Sequence, residues 1–189
     1  MNTDFTQSPS TASMFFVGAM KPKAKAHAPL PNVANVNSEL NAKLLAIAGS
    51  EVVQPYSDEE MVLLVAQGTL VKSSITVSRG LPHRCHFNAA VRWLKNPKAI
   101  IFFGYQNCGD IWTQHSWNVC DGQILDTDDR KLYYGVAPAN PDLFAMQVIF
   151  QETGHALDRM QKILGKRAFA RFRQICARML LRKNEWPGS

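Results

Sequence analysis

The sequence contains no apolar run approaching the ~20 residues that cross a bilayer, so no helical membrane span is expected. Its most apolar early segment, Met14-Phe15-Phe16-Val17-Gly18-Ala19-Met20, is short, and its basic residues follow it. A cleaved secretory signal has them in front. The expected location is the cytoplasm, or export by a route without such a signal. Cysteine is scarce: Cys85, Cys108, Cys120 and Cys176 are too few and scattered for a disulfide framework, and read as free thiols. No CxxC pair or His/Cys cluster has zinc spacing. Glu152-Thr153-Gly154-His155 lacks the second histidine of a zinc-protease helix, so neither a metal nor another cofactor is expected. Internal repeats are absent.

What is present is globular composition, with 46% hydrophobic and 19% charged residues in 189, enough for one domain with a core and an appendage. The net charge of +6 is uneven. Nine of the 21 Lys and Arg lie between Asp158 and Glu185, against those two carboxylates alone, leaving the rest of the chain near neutral. This basic stretch is a possible seat for nucleic acid, an anionic surface or an acidic partner. The simpler expectation is a helix packed on its apolar side with solvated cations.

Residues 1–37 are rich in Ser, Thr, Pro, Ala and Asn without periodicity, and read as a disordered arm. A helix is expected from Ser38, ended by Gly49. A second runs from the Ser57/Glu60 capping box to Gly68. Residues 69–78 are β-branched and alternate, as one strand does, and Gly80-Leu81-Pro82 turns the chain. Cys85 opens a helix that Asn96-Pro97 closes, and Ala99–Tyr105 reads as a buried strand. His115–Val119 and Gln123–Thr127 form a hairpin about Asp121-Gly122, and Tyr133–Val136 adds a strand. Beyond Pro141 the chain is helical to Lys183, broken near Gly154 and Gly165. The domain is therefore expected at 38–140, with a basic helical extension at 141–189.

The hairpin turn places chemistry locally. A two-residue loop pairs Cys120 with Gln123, Asn118 with Leu125 and Trp117 with Asp126, and would set His115 opposite Asp128. His115, Trp117, Asp126 and Asp128 then share a face. A histidine with carboxylates opposite and on the diagonal is half of a nucleophile-activating triad. Cys85 is the other half, because a helix N-terminus favours a thiolate and offers free N–H groups to an oxyanion. Arg84 and His86 are expected to add positive potential there.

These elements, taken in order, resemble the transglutaminase-like branch of the papain superfamily: Cys85, Phe102-Phe103-Gly104-Tyr105, His115-Ser116-Trp117, Asp121-Gly122 and Asp126-Thr127. The string Trp112-Thr113-Gln114-His115-Ser116-Trp117 is similar to one in small bacterial proteins. The resemblance spans about residues 80–136. It implies an α+β fold with N-terminal helices on a small antiparallel sheet, with Cys85 as nucleophile, His115 as base and Asp126 as the orienting carboxylate. No Gln stands just before Cys85, so the oxyanion role passes to Gln114 or to the Cys85 and His86 amides. Trp117 and Asp128 complete the expected substrate side. The implied chemistry is a cysteine peptidase, deamidase or amidase, or a transglutaminase-type acyltransferase, acting on a protein or peptide. The alternative from another class is a non-enzymatic phage- or effector-type binding protein that works through the basic helix.

Overall fold

The computed structural model describes residues 33–53, 56–127 and 132–183. In chain order they form α1 (Val33–Ile47), β1 (Glu51–Val53), α2 (Asp58–Gln67), β2 (Thr69–Val71), β3 (Ile75–Val77), α3 (Cys85–Lys95), β4 (Ile100–Cys108), β5 (Ile111–Cys120), β6 (Gln123–Asp126), β7 (Tyr133–Val136), α4 (Pro141–Thr153) and α5 (Leu157–Lys183). The class is α+β.

Local chemistry explains most boundaries. Ser57 and Glu60 close a reciprocal capping box on α2. Asp121 and Gly122 both have positive φ, the condition for a hairpin turn whose twist matches its strands. The resulting pairs are Cys120 with Gln123, Val119 with Ile124 and Asn118 with Leu125. Asn140 caps α4 through Leu143 N–H, and Gly154 ends it in the left-handed conformation. Gly165 breaks α5.

Three expectations change. The first helix begins at Val33, inside the segment read as a disordered arm, because Val36 continues the buried i, i+4 row of Leu40 and Leu44. The rest of that arm lies outside the described residues. Residues 69–78 are two short strands at opposite edges of the sheet: β2 pairs with β7, and β3 pairs with β6. The sheet is also mixed, not antiparallel, since β1 runs parallel to β5 and β3 parallel to β6.

The strand order is β2-β7-β4-β5-β6-β3, with β1 attached to β5. Only residues 72–74 separate β2 from β3, a reach of at most ~14 Å between Val71 and Ile75. The two edges must therefore approach, which curls the sheet towards a barrel. Trp117, Ile124 and Tyr133 fill its inner side together with Val71, Ile75, Phe102 and Val119. Two cores lie outside. Val36, Leu40, Leu44, Met61 and Leu64 pack with Phe103 and Tyr105. On the other flank Phe87, Ala90 and Leu94 of α3 pack with Ala145 and Ile149 of α4 and Leu164 and Phe172 of α5. Residues 141–183 are thus half of a core rather than an extension beyond the domain. Arg171 ties them in further, donating to the Trp93 and Leu94 carbonyls at the end of α3. Among the described residues no helix is long and apolar enough to cross a membrane.

Candidate active site

Cys85 is the first residue of α3. Its N-cap, Arg84, makes no side-chain capping bond to the first-turn N–H groups. The chain enters through His83, held at φ 56°. Asn88, one turn into α3, anchors the incoming loop: Leu81 N–H donates to Oδ1 at 2.9 Å, and Nδ2 donates back to Leu81 O at 2.7 Å. Such a reciprocal pair imitates a backbone ladder and aligns the 78–84 loop against the helix that carries the thiol. From the other side Ser78 N–H donates to Asp126 O at 2.7 Å.

His115 faces inward from β5 and is almost fully buried. Its Nε2 lies 2.6 Å from Asp126 Oδ2, and Cys85 is a second side chain that acts on the ring and raises its pKa. Burial alone would lower the histidine pKa. The hydrogen bonds to Asp126 and Cys85, with the electrostatic influence of both, outweigh that and raise it to about 9. The ring is therefore an imidazolium at neutral pH. Asp126 is held by three donors: Tyr133 O–H reaches Oδ2 at 2.9 Å, and Thr127 N–H reaches Oδ1 at 2.6 Å beside the histidine. The backbone behind His115 is also fixed. Tyr56 hydroxyl accepts from Gly104 N–H at 3.1 Å and faces the Gly104 and His115 carbonyls at 2.7 and 3.1 Å.

A cleft of about 1300 Å³ opens over these groups. The 77–84 loop and the start of α3 form one wall, Val148, Gln151 and Glu152 of α4 another, and Gln106, Thr113, Gln114 and His115 the floor. Arg84 and Glu152 form an ion pair joining the first two walls.

The remaining expected site residues fall differently. Gln114 and His86 line the cleft. His86 Nδ1 shares a 2.6 Å hydrogen bond with Ser116 Oγ. Burial and the neighbouring His115 charge push its pKa down to about 4, so it adds no positive potential near neutrality, contrary to expectation. Trp117 does not reach substrate space. It is 0% exposed, stacked on Phe102 with centroids 5.7 Å apart, because inward alternation on a curled sheet delivers it to the interior rather than to the cleft. Asp128 lies outside the described residues. Sequence reasoning missed Tyr133, Tyr56 and Gln106. Only Gln106 carried a visible signal, an amide that with Asn107 ends the apolar run from Ile100 to Tyr105.

No protein-family model matches this chain, and neither the curated proteins nor the solved structures contain a match to it.

Proposed function

We propose that the chain is a thiol-dependent acyl enzyme: an amide or ester hydrolase, or an acyltransferase, of papain- or transglutaminase-like kind. The observation that carries this reading is His115 bonded through Nε2 to Asp126 and acted on by Cys85, with both Cys85 and His115 lining one cleft. An orienting carboxylate fixes the ring, and an imidazolium beside a thiol favours the thiolate. The helix-borne cysteine, followed in the chain by a sheet carrying His and then Asp, supports the superfamily placement.

In this mechanism the Cys85 thiolate attacks a carbonyl carbon. A C–S bond forms, and the carbonyl π electrons move to oxygen, held by first-turn amides of α3. When the carbonyl reforms, the bond to the leaving nitrogen or oxygen breaks, and that atom takes the proton from His115 Nδ1. Water or an amine then attacks the thioester and gives its proton to His115. The C–S bond breaks and the thiolate returns. With water the protein is a peptidase, deamidase or amidase; with an amine it is a transglutaminase-type transferase.

The test is trapping. Wild type and Cys85→Ala are incubated with host extract, quenched in acid, and searched by mass spectrometry for a thioester on Cys85. An acyl adduct on Cys85 that hydroxylamine removes is expected. Iodoacetamide near pH 6.5 that labels Cys108, Cys120 and Cys176 as fast as Cys85 contradicts an activated site.

A further inference from the structure

The ring beside the thiol has one nitrogen that the groups described so far do not use. His86 follows Cys85 in the first turn of α3, and both line the cleft. Burial and the His115 charge hold its pKa at about 4, so near neutrality the ring carries one proton. Its Nδ1 lies 2.6 Å from Ser116 Oγ, and Ser116 is 1% exposed with no other hydrogen-bond partner among the described residues. A buried hydroxyl hydrogen is nearly always paired, so Ser116 O–H donates to Nδ1 and the ring's own proton sits on Nε2. Nε2 in turn has no partner among the described residues. It is not closed off either: the partnerless side-chain atoms sealed from solvent there are Gln106 Oε1, Asn107 Nδ2 and Trp117 Nε1. Nε2–H therefore opens on the space that His86 lines, which is the cleft.

The direction of the ring follows from the helix. Cα–Cβ bonds tilt towards a helix N-terminus, so the His86 side chain leans to the end where Cys85 and the first-turn N–H groups lie. Phe144 of α4 meets the ring edge-on with centroids 6.4 Å apart, and Ser116 holds it from β5, so it is fixed before any ligand arrives. We propose that His86 is a catalytic residue of this site, its Nε2–H donating to the carbonyl oxygen as that atom becomes the oxyanion, beside the first-turn amides of α3. This rests on the thiol mechanism above and takes over part of the role left to Gln114 and backbone amides. A fixed donor aimed at developing charge stabilises it more than one that must first reorient. Being neutral, the ring also keeps its proton: it neither pairs with the thiolate in place of His115 nor hands a proton to the oxyanion. The two histidines thus divide the work. His115 serves the sulfur and the leaving group, and His86 serves the oxygen.

Two reagents that reach the same thiolate by different routes test this without a known substrate. p-Nitrophenyl acetate acylates it: sulfur forms the C–S bond, the carbonyl π electrons move to oxygen, and p-nitrophenolate then leaves with the C–O electron pair. Iodoacetamide alkylates it by displacing iodide, with no oxyanion on the way. Both rates at Cys85 are followed by rapid acid quench and peptide mapping in wild type, His86→Phe and His86→Gln. Their ratio on one protein cancels the thiolate fraction and any loss of folded protein. His86→Phe keeps a ring but not the donor, and is expected to lower the acylation-to-alkylation ratio about tenfold or more. His86→Gln, whose N–H₂ reaches towards the same place, is expected to keep most of it. An unchanged ratio in His86→Phe, even with both rates slowed, overturns the proposal in favour of a structural role. A fall in His86→Gln as deep as in His86→Phe overturns it too, since a donor would then be present without effect. If wild-type Cys85 reacts with iodoacetamide no faster than Cys108, Cys120 and Cys176, the thiol mechanism falls and takes this inference with it. Fast alkylation with a ratio indifferent to His86 sinks the inference alone.

Discussion

Asp126 meets His115 on the diagonal of the hairpin, not across it. The ladder runs to Asn118 opposite Leu125, which puts Asp126 level with Trp117 and one step nearer the turn than His115. The imidazole spans that offset to bring Nε2 within 2.6 Å of Oδ2. Tyr133 donates to the same oxygen from β7, across the curl of the sheet. The carboxylate thus has its position set from three strands.

This arrangement predicts different costs for its two supports. Asp126→Asn replaces an acceptor with a group that can donate to Nε2, which traps the wrong tautomer and removes the charge that keeps His115 protonated. Turnover should fall on the order of a hundredfold or more, with Cys85 alkylation near neutral pH slowing in parallel. Tyr133→Phe removes one neutral bond and should cost about tenfold or less. A larger effect for Tyr133→Phe than for Asp126→Asn would show that Asp126 is not the orienting group.

The two cleft histidines predict a stability optimum. His115 has its pKa raised from 6.5 to about 9, so its stabilisation is complete below 6.5 and is lost as pH climbs through 9. His86 is lowered from 6.5 to about 4, so acid protonates the unfolded chain first and destabilises the fold as pH drops from 6.5 towards 4. Urea midpoints measured at about pH 5, 6.5 and 9 should be highest in the middle. His115→Gln should flatten the alkaline arm and His86→Gln the acid arm. A wild-type profile that is flat over this range contradicts both assignments.

The legible part of this molecule was local. The capping box at Ser57 and Glu60, the Asp121-Gly122 turn and the glycines that break the last helices each act within a few residues. The tight turn likewise put two carboxylates, Asp126 and Asp128, within reach of His115, and the family resemblance singled out Asp126. What could not be read was long-range. The parting of β2 from β3 is decided by partner strands, β7 and β6, that lie far later in the chain. Trp117 looked like a substrate contact because alternation tells which face a residue takes, not whether that face is closed by curling. The basic helix was expected to pack on its apolar side, but the sequence could not tell that its buried row, Leu164, Ala168, Phe172 and Ile175, joins the same core as α3.

At Leu81, the loop that forms one wall of the cleft is tied to α3 by a single side chain. Asn88→Ala frees both Leu81 N–H and Leu81 O, and among the described residues no other side chain is bonded to either group. The cost to global stability should be about 1–3 kcal/mol. Amide exchange should rise across residues 79–84 while the core of α3 stays protected. Asn88→Asp retains the acceptor but not the donor and should fall between. If exchange in the loop is unchanged in Asn88→Ala, the loop is held by other means.

The C-terminal helices make the last prediction, because the two views of them differ in what a charge is for. Arg171 Nη1 donates to Trp93 O at 2.6 Å and to Leu94 O at 3.3 Å, and its guanidinium carbon sits 4.2 Å above the Trp93 ring. These carbonyls belong to the last turn of α3, where acceptors lack helical partners and a cation is favoured. One side chain therefore caps the helix that carries Cys85, stacks on its aromatic and joins it to α5. Arg171→Met keeps the apolar stem but removes the fork, and should cost about 1.5–3 kcal/mol in urea unfolding. Arg171→Lys keeps the charge yet loses the planar stack and the paired geometry, and should recover only part of that. Arg173, two residues on and exposed, is the control, and Arg173→Met should be neutral within about 0.5 kcal/mol. Were the basic helix a solvated appendage kept for an anionic partner, the two methionine variants would be equally stable and would weaken that binding alike. A stability loss confined to Arg171 instead makes this cation part of the scaffold that aims the thiol.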